Sequence, residues 1–218
     1  MKNIYIYLSL FSVLLLAACN NASDDQIQMT NTNSEDIRII SLMPSNTEII
    51  AELGMEENLK GITTADNFPE DLNKNITRLD TFALDEESMM ALNPTHIVSH
   101  EANHDANKNI IDRVASNTGA ETLIVDDAAK INEIYDTITD IGAFIGKEEQ
   151  AEELNASLQQ DVENIQYEYA DRDEQDKALV LVSTTPDIYI AGNNTFIDDF
   201  LKTLNIGNVF EDVNGYPA

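Results

Sequence analysis

The densest run of side chains able to do chemistry is His100-Glu101-Ala102-Asn103-His104, which fits the H-E-x-x-H spacing of zinc hydrolases. Such a site needs both histidines on one helical face, with Glu101 as base for a metal-bound water. The context points elsewhere. An apolar strand, Thr95–Ser99, runs directly into His100, so Glu101 to Asn103 are expected to form the loop after that strand. The polar stretch Asn103, Asp105, Asn107 and Asn109 is unlike the long buried helix a zincin requires. All three histidines of the chain (His96, His100 and His104) fall here, and no further third-ligand motif is evident. No G-x-S-x-G turn, Gly-rich phosphate loop or Cys/His cluster occurs. The expected catalytic set is therefore empty and no cofactor is implied, with a zinc metallohydrolase built on His100, Glu101 and His104 as the alternative.

The elements that would position these residues alternate strand and helix. Ile37–Leu42, Gly61–Thr64, Thr95–Ser99 and Thr122–Val125 read as strands; Asp85–Leu92, Asn107–Asn117 and Ile131–Ile145 read as helices. A further helix is expected to open with Ser45 as cap and Glu48 completing a capping box, and to stop at Gly54. This alternation implies an α/β fold with a mostly parallel sheet covered on both faces. Ligands then bind beyond the carboxyl ends of the strands. The residues there are Met43-Pro44-Ser45, Thr63-Thr64-Ala65, His100-Glu101 and Asp126-Asp127. His100 could touch a metal complex or polar ligand at that edge, or simply cap a strand end.

One element is long. Ala151, Leu154, Leu158, Val162, Ile165 and Tyr169 recur at steps of three and four, so a single helix is expected over Glu148–Ala170. At 1.5 Å per residue it would span about 34 Å, which favours a rod joining two lobes. After it come a strand at Ala178–Val182, then Tyr189-Ile190-Ala191-Gly192, and a helix near Thr195–Leu204. One strand–helix unit cannot cover a sheet on both faces, so the second lobe is expected to be incomplete in this chain.

At the other end, Lys2 and the apolar stretch Ile4–Leu16 precede Leu16-Ala17-Ala18-Cys19. That is a secretory signal over 1–18, too short to span a membrane, with Cys19 as acceptor of a lipoprotein anchor such as palmitate. Residues 19–36 are rich in Asn, Ser, Thr and Asp and read as a flexible tether. The expected divisions are then an N-terminal lobe over 37–146, the interlobe helix over 147–174 and the start of the C-terminal lobe over 175–218. Cys19 is the only cysteine, so no disulfide supports the fold. With 40 acidic and 12 basic residues the formal net charge is -28, which excludes a nucleic-acid partner. Dispersed acidic charge suits solubility in a salty medium, and ordinary drift of a secreted surface explains it equally well.

Several runs resemble one known family. Arg38-Ile39-Ile40-Ser41-Leu42-Met43-Pro44-Ser45-Asn46-Thr47-Glu48-Ile49, Leu92-Asn93-Pro94-Thr95-His96-Ile97-Val98, Tyr189-Ile190-Ala191-Gly192 and Gly215-Tyr216-Pro217 look like the substrate-binding proteins of iron-siderophore and cobalamin ABC importers. The resemblance covers essentially everything after the tether. It implies two α/β lobes joined by one rigid helix, a small metal chelate (siderophore or corrinoid) held between them, and delivery to a membrane permease. It places Thr64, Ala65, Phe82, His100, Tyr189 and Tyr216 at the ligand cleft, and Glu87 at the contact with permease arginines. Haem is a lower choice, because the first-lobe methionine is not at the matching place.

Overall fold

A computed structural model describes residues 37–218 apart from 71, 73 and 173–175. The signal, Cys19 and the tether lie outside the described residues. Five parallel strands form the central sheet: β1 (Ile39–Ser41), β2 (Leu59–Thr63), β3 (Thr77–Leu79), β4 (His96–His100) and β5 (Glu121–Val125), in the order β3-β2-β1-β4-β5. The α/β reading with a parallel sheet is therefore what forms.

Alternation along the strands divides the core between the two faces. Ile39, Ile62, Val98 and Val125 point to one face, and Ile40 and Ile97 to the other. The first face is covered by α1 (Pro44–Glu52), α4 (Ile131–Ile145) and the start of α5 (Glu148–Tyr169), through Ile50, Ile138, Ile141, Ile145 and Ala151. The second is covered by α2 (Glu86–Ala91) and α3 (Glu101–Thr118), through Met89, Ile111 and Val114. Each fully buried Ile contributes about 1.5–3 kcal/mol of transfer free energy, which is why the apolar runs fix this layer order.

Several local expectations are corrected. Ser45 does not cap α1: the N-cap is Met43, Pro44 takes the first helical position, and no side chain caps the end. Pro suits that position because its missing N–H needs no partner there. The helix containing Asn107 starts six residues earlier, so Glu101 to Asn103 form its first turn rather than a loop. The expected strand Ala178–Val182 is split into β6 (Lys177–Ala178) and β7 (Leu181–Ser183). Strand β3 was not expected, being a short Thr-Arg-Leu with a charge at its centre.

Helices α4 and α5 form a hairpin. Gly146 at φ 70° supplies the left-handed turn residue, and Lys147 N donates to Gly142 O at 2.7 Å. With 22 residues α5 is about 33 Å long. Only Ala151 on it is buried; Leu154 and Leu158 pack on the core and the rest of the stripe runs beyond the sheet. Past it, β6 pairs with β9 (Gly207–Asn208), β7 pairs with β8 (Tyr189–Ile190), and α6 spans Phe196–Thr203.

Candidate functional site

The strand order reverses between β1 and β4, since β1 leads to β2 and β3 on one side and β4 to β5 on the other. In open parallel sheets a crevice opens at such a switch point, beyond the carboxyl ends of the strands. Here α1 leaves β1 on one face and α3 leaves β4 on the other, so both helix N-termini flank the same gap.

Two asparagines lace this gap crosswise. Asn46 on α1 donates through Nδ2 to Ser99 O of β4 at 3.2 Å, and Asn103 on α3 donates to Leu42 O after β1 at 2.9 Å. The Oδ1 atoms of both are buried without a protein partner among the described residues. His100 ends β4 with an extended backbone (φ −138°, ψ 142°) and is the N-cap of α3; its Nδ1 accepts from Ala102 N at 3.2 Å. One turn on, His104 is buried with Nδ1 3.2 Å from Ser99 Oγ. His100 stands outside the helix that carries His104, and the two rings are held by separate partners. The zinc-hydrolase arrangement, which needs both rings on one helical face, is not what forms.

A crevice of about 210 Å³ opens here. Its walls are Ser45, Asn46 and Ile49 of α1, His100, the Val125–Ala128 segment after β5, Ile134 and Thr137 of α4, and Phe196 of α6. A larger hollow of about 410 Å³ adjoins it along the edge strand, sharing Val125 to Ala128 and Thr137 and adding Glu133, Asp136 and Asp140. The larger hollow lies off the switch point; the smaller one sits on it and is the candidate site.

Phe196 arrives from far along the chain, and a polar network fixes it. Thr195 caps α6, accepting from Asp198 N at 3.1 Å and donating from Oγ1 to Gly192 O at 2.8 Å. Asp198 is 2% exposed and accepts from Lys202 Nζ at 2.6 Å and from Asn208 Nδ2 at 3.0 Å. Burial alone would raise its pKa, but the hydrogen bonds from Lys202 and Asn208 and the Lys202 charge outweigh it and hold the carboxyl below its ordinary value. Next to it, Asp199 Oδ2 accepts from Ile131 N at 2.9 Å, meeting a free amide at the start of α4. Glu133 Oε2 takes the neighbouring amides of Ala129 and Lys130 at 2.7 and 3.1 Å. Thus α6 is pinned to α4, and Phe196 faces the crevice.

Of the ligand residues expected from sequence, only His100 lines the crevice. Thr64 and Ala65 sit exposed in the turn after β2. That turn is held by Asp66, which accepts from Thr63 N and Thr63 Oγ1, while Arg78 donates to Asp66 O. Phe82 is 100% exposed in the turn after β3. All three share the carboxyl edge of the sheet. Tyr189 and Tyr216 are partly exposed on adjoining segments, joined by Ile190 N to Pro217 O at 3.1 Å and Gly192 N to Gly215 O at 2.9 Å. Glu87 is exposed in the first turn of α2, whereas its neighbour Glu86 is engaged by Arg113 Nε at 2.7 Å. Sequence reasoning missed Asn46, Ile134, Thr137 and Phe196. Asn46 had a visible signal, a polar residue where the apolar face of α1 turns inward. The others had none.

Comparison with known proteins agrees with the fold. Residues 39–216 match the periplasmic binding protein family. A possible iron-binding (periplasmic solute-binding) protein from Staphylococcus epidermidis is 35% identical, with a TM-score of 0.75 over 83% of this chain and 69% of that one. An uncharacterized ABC transporter substrate-binding lipoprotein of Bacillus subtilis, YvrC, is 28% identical over 95% of this chain and 72% of its own length. The periplasmic heme binding protein HutB of Vibrio cholerae shares the fold, with a TM-score of 0.72 at 22% identity over 83% of this chain and 69% of that one. The chain belongs to the periplasmic binding protein family, and like its relatives it is a substrate-binding protein of ABC transporters rather than an enzyme.

Proposed function

We propose that this chain is the lipid-anchored, extracytoplasmic receptor of an ABC importer for a metal complex of the iron-siderophore or cobalamin type. The observation that carries the reading is the switch-point crevice, walled by the start of α1 and the ends of β4 and β5 and faced by Phe196 from the segment beyond the long helix. Most of its exposed surface is apolar, from Ile49, Val125, Ile134 and Phe196, with polar groups set among them, as in small-molecule sites. Residues 37–146 serve as the N-terminal lobe, 147–174 as the connecting helix and 175–218 as the start of the C-terminal lobe. Thr64, Ala65, Phe82, Tyr189 and Tyr216 extend the cleft along both rims; Glu87 docks the permease; Cys19 carries the lipid.

Charge narrows the ligand. Asp126 and Asp127 line the crevice, Glu133, Asp136 and Asp140 line the hollow beside it, and the whole chain carries −28. Field of that sign favours a neutral or cationic complex over an anionic one. Thermal unfolding against a panel of ferric trihydroxamates, ferric citrate, cyanocobalamin and hemin tests the reading. A ligand present at 100 times its Kd stabilises by about 2.7 kcal/mol, a rise of several degrees in Tm. At least one neutral or cationic complex is expected to give that rise. No shift with any metal complex would refute the reading.

A further inference from the structure

We propose that His100 is held as its Nε2–H tautomer and acts as a hydrogen-bond donor into the crevice, closed to coordination of a bound iron. The inference rests on the crevice being the ligand site and specifies the chemistry of its one buried ring. A backbone N–H can only donate, so the 3.2 Å contact from Ala102 N requires Nδ1 of His100 to be the nitrogen without a proton. A neutral imidazole carries one proton, which is then on Nε2. No described residue takes that Nε2, and the ring is 7% exposed in the crevice wall beside Ser45 and Asn46.

Iron would need the lone pair of Nε2. Freeing it moves the proton to Nδ1, which aims two N–H groups at one another and takes from α3, an 18-residue helix, the side chain that caps it. His104 lacks this lock. Its partner is Ser99 Oγ, and a hydroxyl can give or take the bond, so either tautomer suits it. The crevice is therefore built to meet an oxygen acceptor on its ligand at His100: a carbonyl, hydroxamate or amide oxygen of a complex whose metal is already saturated by its own chelator.

Two measurements on the full chain test this. Long-range proton–nitrogen NMR of the histidine side chains, well above the ordinary histidine pKa of about 6.5, reads the tautomer directly. The signal lost in His100→Ala is expected to show the proton on Nε2; a proton on Nδ1 overturns the proposal. Titration with hemin is the second. Bands of a histidine-ligated iron that depend on His100 are expected to be missing from the spectrum of the parent, whether or not hemin binds. A histidine-ligated iron spectrum in the parent that disappears in the variant overturns it. Failure of the receptor reading would leave the NMR result untouched, so the two are separable.

Discussion

Replacing Gly142 by alanine sets two effects of known sign against each other at the α4–α5 hairpin. Gly142 is buried on α4, and a Cβ built there would lie 2.5 Å from Ala151 Cβ and 3.1 Å from Lys147 O. Ordinary carbon contacts are about 3.5–4.0 Å, so roughly 1 Å must be found. Neither neighbour is the end of a flexible side chain. Ala151 Cβ is fixed to its helix, and Lys147 O is already bonded by Ala151 N at 3.0 Å. Helix propensity favours the alanine by about 1 kcal/mol, while overpacking costs about 1–3 kcal/mol. Because backbone must move on both sides the upper end of that cost applies, and the net is a loss of about 1–2 kcal/mol. For a chain of this size that lowers Tm by about 2–8 °C. Urea and thermal unfolding followed by far-UV circular dichroism read it. Adding Ala151→Gly moves the methyl to the other helix, so the double-mutant cycle should show a favourable coupling of about 1 kcal/mol or more. A Gly142→Ala protein as stable as its parent, or strictly additive single changes, would refute the reasoning. The same helix carries Ile134 and Thr137 into the crevice, which makes this contact part of the site's support.

Asp199→Ala leaves the amide of Ile131 without its acceptor and should cost about 1 kcal/mol, with a smaller effect in high salt; an unchanged urea midpoint would remove the α4–α6 pin. His96 has its pKa lowered by burial, partly offset by Glu121, so it folds neutral while the unfolded chain gains a proton below about 6.5. Its contribution is present above that pH and lost as pH falls through the lower folded value. His96→Gln should flatten the urea midpoint between pH 7 and about 5. Asp198, depressed below its ordinary 3.8, contributes above that value and loses the contribution as pH falls below it; Asp198→Asn should be less stable at neutral pH and converge with the parent in acid. Glu87→Lys should leave Tm and ligand affinity unchanged while reducing receptor-stimulated ATP hydrolysis by the cognate permease about tenfold, the scale of one lost charge pair of about 1.4 kcal/mol. Unaltered stimulation would move the docking role elsewhere.

The inner strands and the best helices were legible because burial on both faces leaves an uninterrupted mark. Ile39, Ile40, Ile97 and Val98 are all at 0% exposure, and a parallel sheet needs such runs. Ile131–Ile145 was bounded correctly, since its apolar period is strong and Gly146 ends it. The start of α3 was hidden for the opposite reason. Its buried face is His104, Asn107, Ile111 and Val114, so half of the stripe is polar and reads as a loop. His104 is admitted inside by a hydrogen bond from a neighbouring strand, and Asn107 by bonds to Thr81 O and Asn103 O. Strand β3 escaped for want of length, and its Arg78 is tolerated because Nη1 finds the carbonyls of Thr63 and Asp66.

By itself the sequence determined the layer order, the long helix, and His100 as a residue at the carboxyl edge of the sheet. Local hydrophobic periodicity encodes these, and periodicity acts over a few residues. The tertiary structure alone decided which edge residues share a cavity. Phe196 shares a crevice with Asn46 and His100 where Asp199 finds a free amide 68 residues away, and His100 gains a defined proton position only when α3 begins at Glu101. The first depends on hydrogen-bond geometry between distant segments and the second on where a helix begins, and neither leaves a repeat in the chain to read.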